Sequence, residues 1–409
     1  MTNRLLLGGL AAVLLVLPGA GAAEEFKDGD RVVLLGSTLI EREQRYGYWE
    51  YALTRRYPDR NVTFRNLGWS GDTVFGHARA GFGSTPDGFR HLKEHVAAVK
   101  PTVIVIAYGT NEAFDGEAGL PRFQQGLNTL LDTLAANKAR MILLSPLPQE
   151  DLGRPLPDPG PQNKNINLYR DALKQTAEKR GLPFLDLHAG LEKVHELLPK
   201  MRLTDNMIHL TPFGYWYSAF LVQGMLRPTE PNWAIEMTAQ GKQVKADGTK
   251  VEKMQAAPLR FVATDSVLPM PGPPADPSPR AGFFEDRFLR VTGLPEGNYR
   301  LSIDSQPIVT APAKKWEEDK GVRIDRGPEF EQAEKLRAAI VAKNQLYFHR
   351  WRPQNETYLF GFRKAEQGKN AVEIPQFDPL VEKLEAEIAK LRVPVTHTYE
   401  IAPVRGDDK

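Results

Sequence analysis

Short unbroken apolar runs and longer amphipathic stretches take turns along the first half of the chain. The segments "RVVLLG" (31–36), "NVTFRNLG" (61–68), "PTVIVIAYG" (101–109), "RMILLSP" (140–146) and "PFLDL" (183–187) have the length and the aliphatic, β-branched character of buried strands. Between them, "WEYALTRRYP" (49–58), "FRHLKEHVAAVK" (89–100), "GLPRFQQGLNTLLDTLAANK" (119–138) and "NINLYRDALKQTAEKRG" (165–181) read as helices, with apolar side chains three and four residues apart. Regular alternation of this kind implies right-handed crossovers and a parallel sheet covered on both faces, a three-layer α/β sandwich. In such a sheet the loops after the strands' carboxyl ends carry the ligand site.

Beyond Pro228 the pattern changes. "WAIEMTAQGKQVKADGTKVEKM" (233–254) alternates apolar and polar positions around an "ADGT" turn, a hairpin signal, and "RFLRVTGLPEGNYRLSID" (287–304) reads as a further pair of strands around "PEGN". The stretch "LPMPGPPADPSP" (268–279) between them is a proline-rich loop. Helical spacing returns in "PEFEQAEKLRAAIVAKNQLYFHRW" (328–351) and in "FDPLVEKLEAEIAKLR" (377–392), where Asp378 and Pro379 mark the start. The expected organisation is therefore an N-terminal leader over 1–23, an α/β domain over 24–228, a β-rich accessory region over 229–325, and a helical region over 326–409 that packs back on the first domain.

Composition narrows the partners. Among 409 residues, 53 Lys and Arg stand against 51 Asp and Glu, a balance that supplies no field for nucleic acid or an anionic membrane. Zero cysteines exclude disulfides, thiolate metal sites and a lipid-modified cysteine anchor. A basic start, an apolar run of thirteen residues from Leu5 to Leu17, and the small-residue end "PGAGAA" form an export leader, too short for a stable membrane span. A neutral or sugar-like small molecule suits this balance better than a polyanion, and no cofactor or metal is assigned. His91 and His95 lie four apart on one helix, a spacing that can hold a metal, yet no third ligand is near in sequence.

Four polar loops then stand out: "GSTLIE" (36–41), "NLGWSGDT" (66–73), "AYGTNE" (107–112) and "LTDNMIHLTPFGYW" (203–216). In order and residue type they resemble the four blocks of the SGNH, or GDSL-type, hydrolases, over roughly 30–226. The wording of "RYGYWE", "FRNLGWSGDT" and "HRWRPQNETYLF" is similar to a planctomycete-type exported subgroup of that family. The resemblance implies the SGNH, flavodoxin-like sandwich and hydrolysis of an oxygen ester through a covalent acyl-enzyme. It also implies a base, His209, that moves the nucleophile's proton to the leaving alcohol. Gly71 and Asn111 would line an oxyanion hole, Gly71 by a backbone N–H that no Cβ screens and Asn111 by its side-chain amide.

Two positions depart from the family's pattern. Its first block is Gly-Asp-Ser, whereas this chain reads Gly36-Ser37-Thr38, so register places Thr38 at the nucleophile position. The extra methyl makes Thr38 the slower nucleophile, and a one-residue shift of the turn would present Ser37 instead. The family's aspartate, three before the histidine, is Asn206 here, with Asp205 one residue earlier. An asparagine orients an imidazole but cannot stabilise imidazolium by charge, so Asp205 is the expected orienter of His209. If it does not reach, the chain is a degenerate relative that binds glycan or acyl ligands with little turnover. Asn206, together with Arg350, Trp351 and Arg352 of "HRWRPQNETY" (349–358), is expected to shape the substrate pocket, in a segment that mixes stacking and hydroxyl-recognising residues.

Overall fold

A computed structural model describes residues 25–198, 201–226, 232–274, 287–366 and 370–404. The expected leader at 1–23 and residues 275–279 of the proline-rich loop lie outside the described residues. Five strands, β1 (Arg31–Gly36), β2 (Thr63–Gly68), β3 (Val103–Ala107), β4 (Arg140–Leu144) and β5 (Phe184–Leu185), form one sheet in the order β2-β1-β3-β4-β5, parallel throughout. The helices of this part are α1 (Thr38–Glu43), α2 (Tyr48–Arg55), α3 (Thr85–Val99), α4 (Gly116–Ala135), α5 (Gly160–Arg180), α6 (Leu187–Leu197) and α7 (Pro212–Leu226).

Strand residues alternate between two cores. Val32 and Leu34 of β1 face Trp49, Tyr51 and Trp216, whereas Val33 and Leu35 face Leu92, Leu127 and Leu173. Both sets are buried, which explains why the strands read as unbroken apolar runs rather than as an alternating pattern. Strand order reverses between β1 and β3, so the crevice of this sheet opens beyond the carboxyl ends of β1, β2 and β3. The expected α/β sandwich is the observed fold.

The accessory part contains β6 (Trp233–Thr238), β7 (Gln243–Asp247), β8 (Thr249–Ala256), β9 (Leu259–Asp265), β10 (Arg287–Thr292), β11 (Asn298–Ile303), β12 (Gln306–Pro312), β13 (Val322–Arg323) and β14 (Thr396–Pro403). They make two sheets, β13-β10-β6-β7 and β12-β11-β14-β9-β8, closed over a core of Trp233, Ile235, Phe261, Leu289, Leu301 and Trp316.

Here two sequence expectations are corrected. The "ADGT" turn does not close a hairpin: β7 pairs with β6 and β8 with β9, so the turn carries the chain between sheets. Gly248 makes that corner at φ +65°, where an added Cβ would meet the Asn232 carbonyl at 2.6 Å. Likewise β10 and β11, the strands flanking "PEGN", belong to different sheets, because each must bury its inner face against the other sheet rather than beside its neighbour in sequence.

The remaining helices are α8 (Ala313–Glu317), α9 (Pro328–Trp351), α10 (Glu356–Leu359) and α11 (Phe377–Leu391). α9 packs on α2 and β2, and α11 packs on α9. Ala333, Leu336 and Ile340 of α9 enter the same core as Trp49 and Trp216. The region after 326 is not helical to its end: β14 pairs with β9 and β11 and so returns the chain to the accessory sandwich. Among the described residues no helix is long and apolar enough to cross a membrane.

Candidate active site

The first loop turns directly from β1 into α1. Ser37 is the residue before the helix, buried at 5% exposure, and its carbonyl accepts from the N–H groups of Ile40 and Glu41 at 3.1 Å. Thr38 is the first helical residue and is half-buried. The helix sits unusually close to the sheet: a Cβ on Gly68, at the end of β2, would lie 2.2 Å from the Glu41 nitrogen. Asn66 on β2 reinforces the contact by donating from Nδ2 to the Ile40 carbonyl at 2.5 Å.

The second loop crosses the end of β2 beside this turn. The Trp69 N–H donates to the Gly36 carbonyl at 3.0 Å, and the Asp72 N–H closes a tight turn on the Trp69 carbonyl at 2.9 Å. Gly71 occupies the corner at φ +78°, exposed, with its N–H outside the turn's own hydrogen bond. Below it the fully buried Asp72 accepts from Arg79 Nε at 2.7 Å and from the Tyr108 hydroxyl at 2.9 Å. Asn111, from the loop after β3, donates from Nδ2 to the Asp72 carbonyl at 2.7 Å, which binds the third loop to the second and leaves one amide proton. Its neighbour Glu112 accepts from the N–H groups of Val74 and Gly109, at 2.8 and 2.9 Å, and burial raises its pKa to about 7.

The fourth loop is a closed turn held by a bridge between Thr204 and Leu210. Buried Glu150 anchors it by accepting from the Thr204 N–H at 2.7 Å and the Thr204 hydroxyl at 2.6 Å. Met207 takes φ +75° within the turn, a left-handed conformation that a non-glycine residue adopts at a cost. The loop that carries half-buried His209 is tied to α1, where Arg42 Nη2 donates to Asp205 Oδ2 at 2.7 Å and the Tyr215 hydroxyl donates to the Leu39 carbonyl at 2.7 Å. Burial lowers the His209 pKa below the usual imidazole value, and the nearby Arg42 charge lowers it further against the opposing Asp205.

The expected orienter of His209 is thereby corrected. Asp205 turns its carboxylate to Arg42, because a guanidinium on α1 offers it a charge-assisted hydrogen bond. Asn206 stands at the imidazole instead, with Nδ2 3.0 Å from His209 Nδ1. Its Oδ1 is already engaged by the N–H groups of His209, at 2.9 Å, and Ile208, at 3.3 Å, which fixes the direction of the amide. A donor aimed at Nδ1 makes that nitrogen the acceptor, so neutral His209 carries its proton on Nε2.

Three adjacent strand ends and a loop tied to α1 therefore bring the turns carrying Ser37, Thr38, Gly71, Asn111 and His209 to the carboxyl-end rim of the sheet. Residues 29–217 match the model of the GDSL-like Lipase/Acylhydrolase family. These residues form a GDSL-like domain. No curated protein matches the sequence. Among solved structures, BT4096, a gut microbial diltiazem-metabolizing enzyme, superimposes with TM-score 0.72 at 17% identity, covering 94% of this chain and 100% of that one. Axe2, an acetylxylan esterase from Geobacillus stearothermophilus, aligns with TM-score 0.41 at 19% identity, covering 50% of this chain and 97% of that one. The first likeness shows that the combination of this domain with the accessory sandwich and terminal helices is a known fold.

The remaining expected site residues lie on the C-terminal side of the GDSL-like domain. Trp351, at the end of α9, packs edge-on against Trp69 with ring centroids 5.8 Å apart, and the Arg352 guanidinium lies 3.8 Å over the Trp69 ring. Both thus touch the second loop. Arg350 is taken by Asp378 of α11 at 2.7 Å and is drawn into helix packing. His91 Nδ1 lies 2.9 Å from the Arg79 carbonyl, and His95 packs against Trp351 with centroids 5.1 Å apart. Among the described residues no group of three His, Asp or Glu side chains could hold a metal. Sequence reading missed Glu41, Arg42 and Glu150 as supports of the site, since each acts through a partner more than 25 residues away.

Proposed function

We propose that the chain is an exported ester hydrolase of low intrinsic turnover, acting on a small-molecule or carbohydrate ester. The observation that carries this reading is the convergence of the four loops at the carboxyl ends of β1, β2 and β3. In the reaction the Thr38 hydroxyl attacks the acyl carbon while His209 Nε2 takes its proton, with Ser37 the competing hydroxyl. The carbonyl oxygen becomes an oxyanion facing the Gly71 N–H and the second amide proton of Asn111. Collapse breaks the bond to the alcohol, which leaves with the proton from His209, and water repeats the sequence on the acyl-enzyme. Export rests on the basic, apolar and small-residue order of the first 23 residues.

Low turnover follows from Asn206. The resting imidazole holds its proton on the nitrogen that must receive one, so each cycle first requires the other tautomer, against the Asn206 hydrogen bond. The same observation favours the second reading, an acyl or glycan binder without useful turnover. Hydrolysis of acetyl esters by purified protein, run beside calorimetric binding of a non-hydrolysable amide analogue, separates the two. Turnover lost in His209→Ala supports the enzyme; saturable binding with the same background rate in both proteins supports the binder. Neither turnover nor binding would overturn the assignment of the cleft.

A further inference from the structure

Glu41 lies one helical turn beyond Thr38 on α1, and its Oε2 accepts two strong hydrogen bonds. The Ser70 N–H reaches it at 2.7 Å from the loop that carries Gly71, and Arg352 Nη1 reaches it at 2.7 Å from beyond α9. Glu41 is buried, with 9% exposure. Arg352 adds a second grip on the same loop, because its guanidinium carbon sits over Trp69, 3.8 Å from the ring centre. Trp69 is itself wedged between that cation and the rings of Trp351 and His95, with Arg79 5.5 Å from its ring centre.

Gly71 follows Ser70 directly and has no side chain to hold it. An added Cβ there would touch nothing within 4 Å, so the exposed corner receives no support of its own. The direction of its N–H follows from the two residues before it, where Glu41 holds the Ser70 N–H and Arg352 covers the Trp69 side chain, the Trp69 backbone being bound to the Gly36 carbonyl. The loop's other anchors are the Trp69 N–H on the Gly36 carbonyl, the turn's own bond from the Asp72 N–H to the Trp69 carbonyl, and, past the corner, Asn111 on the Asp72 carbonyl with Arg79 and Tyr108 on the Asp72 carboxylate.

We propose that Glu41 and Arg352 are a positioning pair for the Gly71 oxyanion donor, which makes the C-terminal region part of the acyl site rather than an appendage. One carboxylate ties the nucleophile's helix to the oxyanion loop, and an arginine from the other end of the chain locks it. The inference rests on the ester-hydrolase reading for its catalytic consequence but not for its structural one. Glu41 and Arg352 are positioning residues; neither is assigned a contact with substrate.

The test compares full-length wild type, Arg352→Ala, Arg352→Lys and Glu41→Gln, by acetyl-ester kinetics, by hydrogen exchange of the peptide spanning 66–73, and by thermal midpoint. Arg352→Ala should lower kcat by about 10- to 100-fold with KM changed less than about twofold, the usual scale for a small misplacement of a reacting group. Exchange at 69–72 should quicken without a matching loss of global protection, and Glu41→Gln, which weakens both hydrogen bonds, should do the same. Arg352→Lys keeps the charge but not the guanidinium, so it should recover part of the rate. Unchanged loop exchange in Arg352→Ala would overturn the proposal, as would losses that simply track the thermal midpoint. If no variant and no wild type turns over ester, the hydrolase reading fails, and the exchange result still decides whether the pair holds the loop.

Discussion

Replacing Asn206 by aspartate should convert a poor base into a good one. In the present site the amide donates to His209 Nδ1 across 3.0 Å while its oxygen is engaged by the backbone N–H groups of His209 and Ile208. A carboxylate in that place keeps the backbone bonds through one oxygen and accepts from Nδ1–H through the other. Nε2 is then free to take the nucleophile's proton. Two terms set the size of the gain. Reversing the tautomer in wild type gives up a neutral hydrogen bond, about 1 kcal/mol. A unit negative charge about 4 Å from the imidazolium contributes about 4 kcal/mol at an effective dielectric constant of 20.

Together these terms amount to about 5 kcal/mol, or a rate factor on the order of 10³ to 10⁴. The factor is of the size lost when a serine protease's triad aspartate is changed to asparagine, about 10⁴. Arg42 already neutralises Asp205, so a second carboxylate at 206 does not leave two uncompensated charges side by side. Initial rates on an acetyl ester at neutral pH are the assay, with nitrogen chemical shifts of His209 reporting the tautomer directly. A folded Asn206→Asp protein no faster than wild type would refute this reasoning, as would a wild-type His209 already protonated on Nδ1.

Further outcomes follow from the same contacts. Glu43 is fully buried, and burial, reinforced by the Glu50 charge, pushes its pKa up to about 8. The native state therefore holds a proton that the unfolded chain releases above about pH 4.5, so stability falls by about 1.4 kcal/mol per pH unit from there until about pH 8. Glu43→Gln should remove that loss, giving a thermal midpoint whose advantage over wild type grows between those limits and then levels; an advantage independent of pH would contradict it. Arg42→Ala removes the cation that helps depress the His209 pKa and frees Asp205, so the imidazole should titrate at higher pH by proton NMR, and an unchanged or lower value would count against the assigned electrostatics. Lys343 Nζ donates to buried Glu50 at 2.6 Å and to the Phe64 carbonyl at 3.0 Å, so Lys343→Met should cost about 3–5 kcal/mol by denaturant unfolding; a cost under about 1 kcal/mol would mean that α9 is not held there.

The strands of the α/β domain were legible because they are buried on both faces, and α3 and α4 because each carries one apolar stripe, whereas α7 is apolar all round and offers periodicity no stripe to detect. The accessory sandwich was legible as strands but not as sheets. Sequence neighbours β7 and β8 lie in different layers, and only the requirement that two inner faces cover each other reveals it. The strand at Thr396–Pro403 does alternate buried and half-buried positions, a signal the preceding helical stretch overshadowed.

At the site, the four loops that carry Thr38, Gly71, Asn111 and His209 were visible as short motifs, whereas the charged contacts around them were not. Arg42 captures Asp205 across 163 residues and Arg352 captures Glu41 across 311, pairings that no local pattern encodes. The consequence is an Asn206 whose role reverses from weak substitute to determinant of the His209 tautomer.

The central claim is that a hydroxyl of the Ser37–Thr38 turn and His209 act on one acyl carbon. Fluorophosphonate labelling of the purified protein, followed by intact mass and peptide mapping, tests it most directly. The account predicts one adduct, located at Thr38 or Ser37, formed slowly in wild type, faster in Asn206→Asp and absent in His209→Ala. Labelling at a residue outside that turn, or a rate that does not change when His209 is removed, would contradict it.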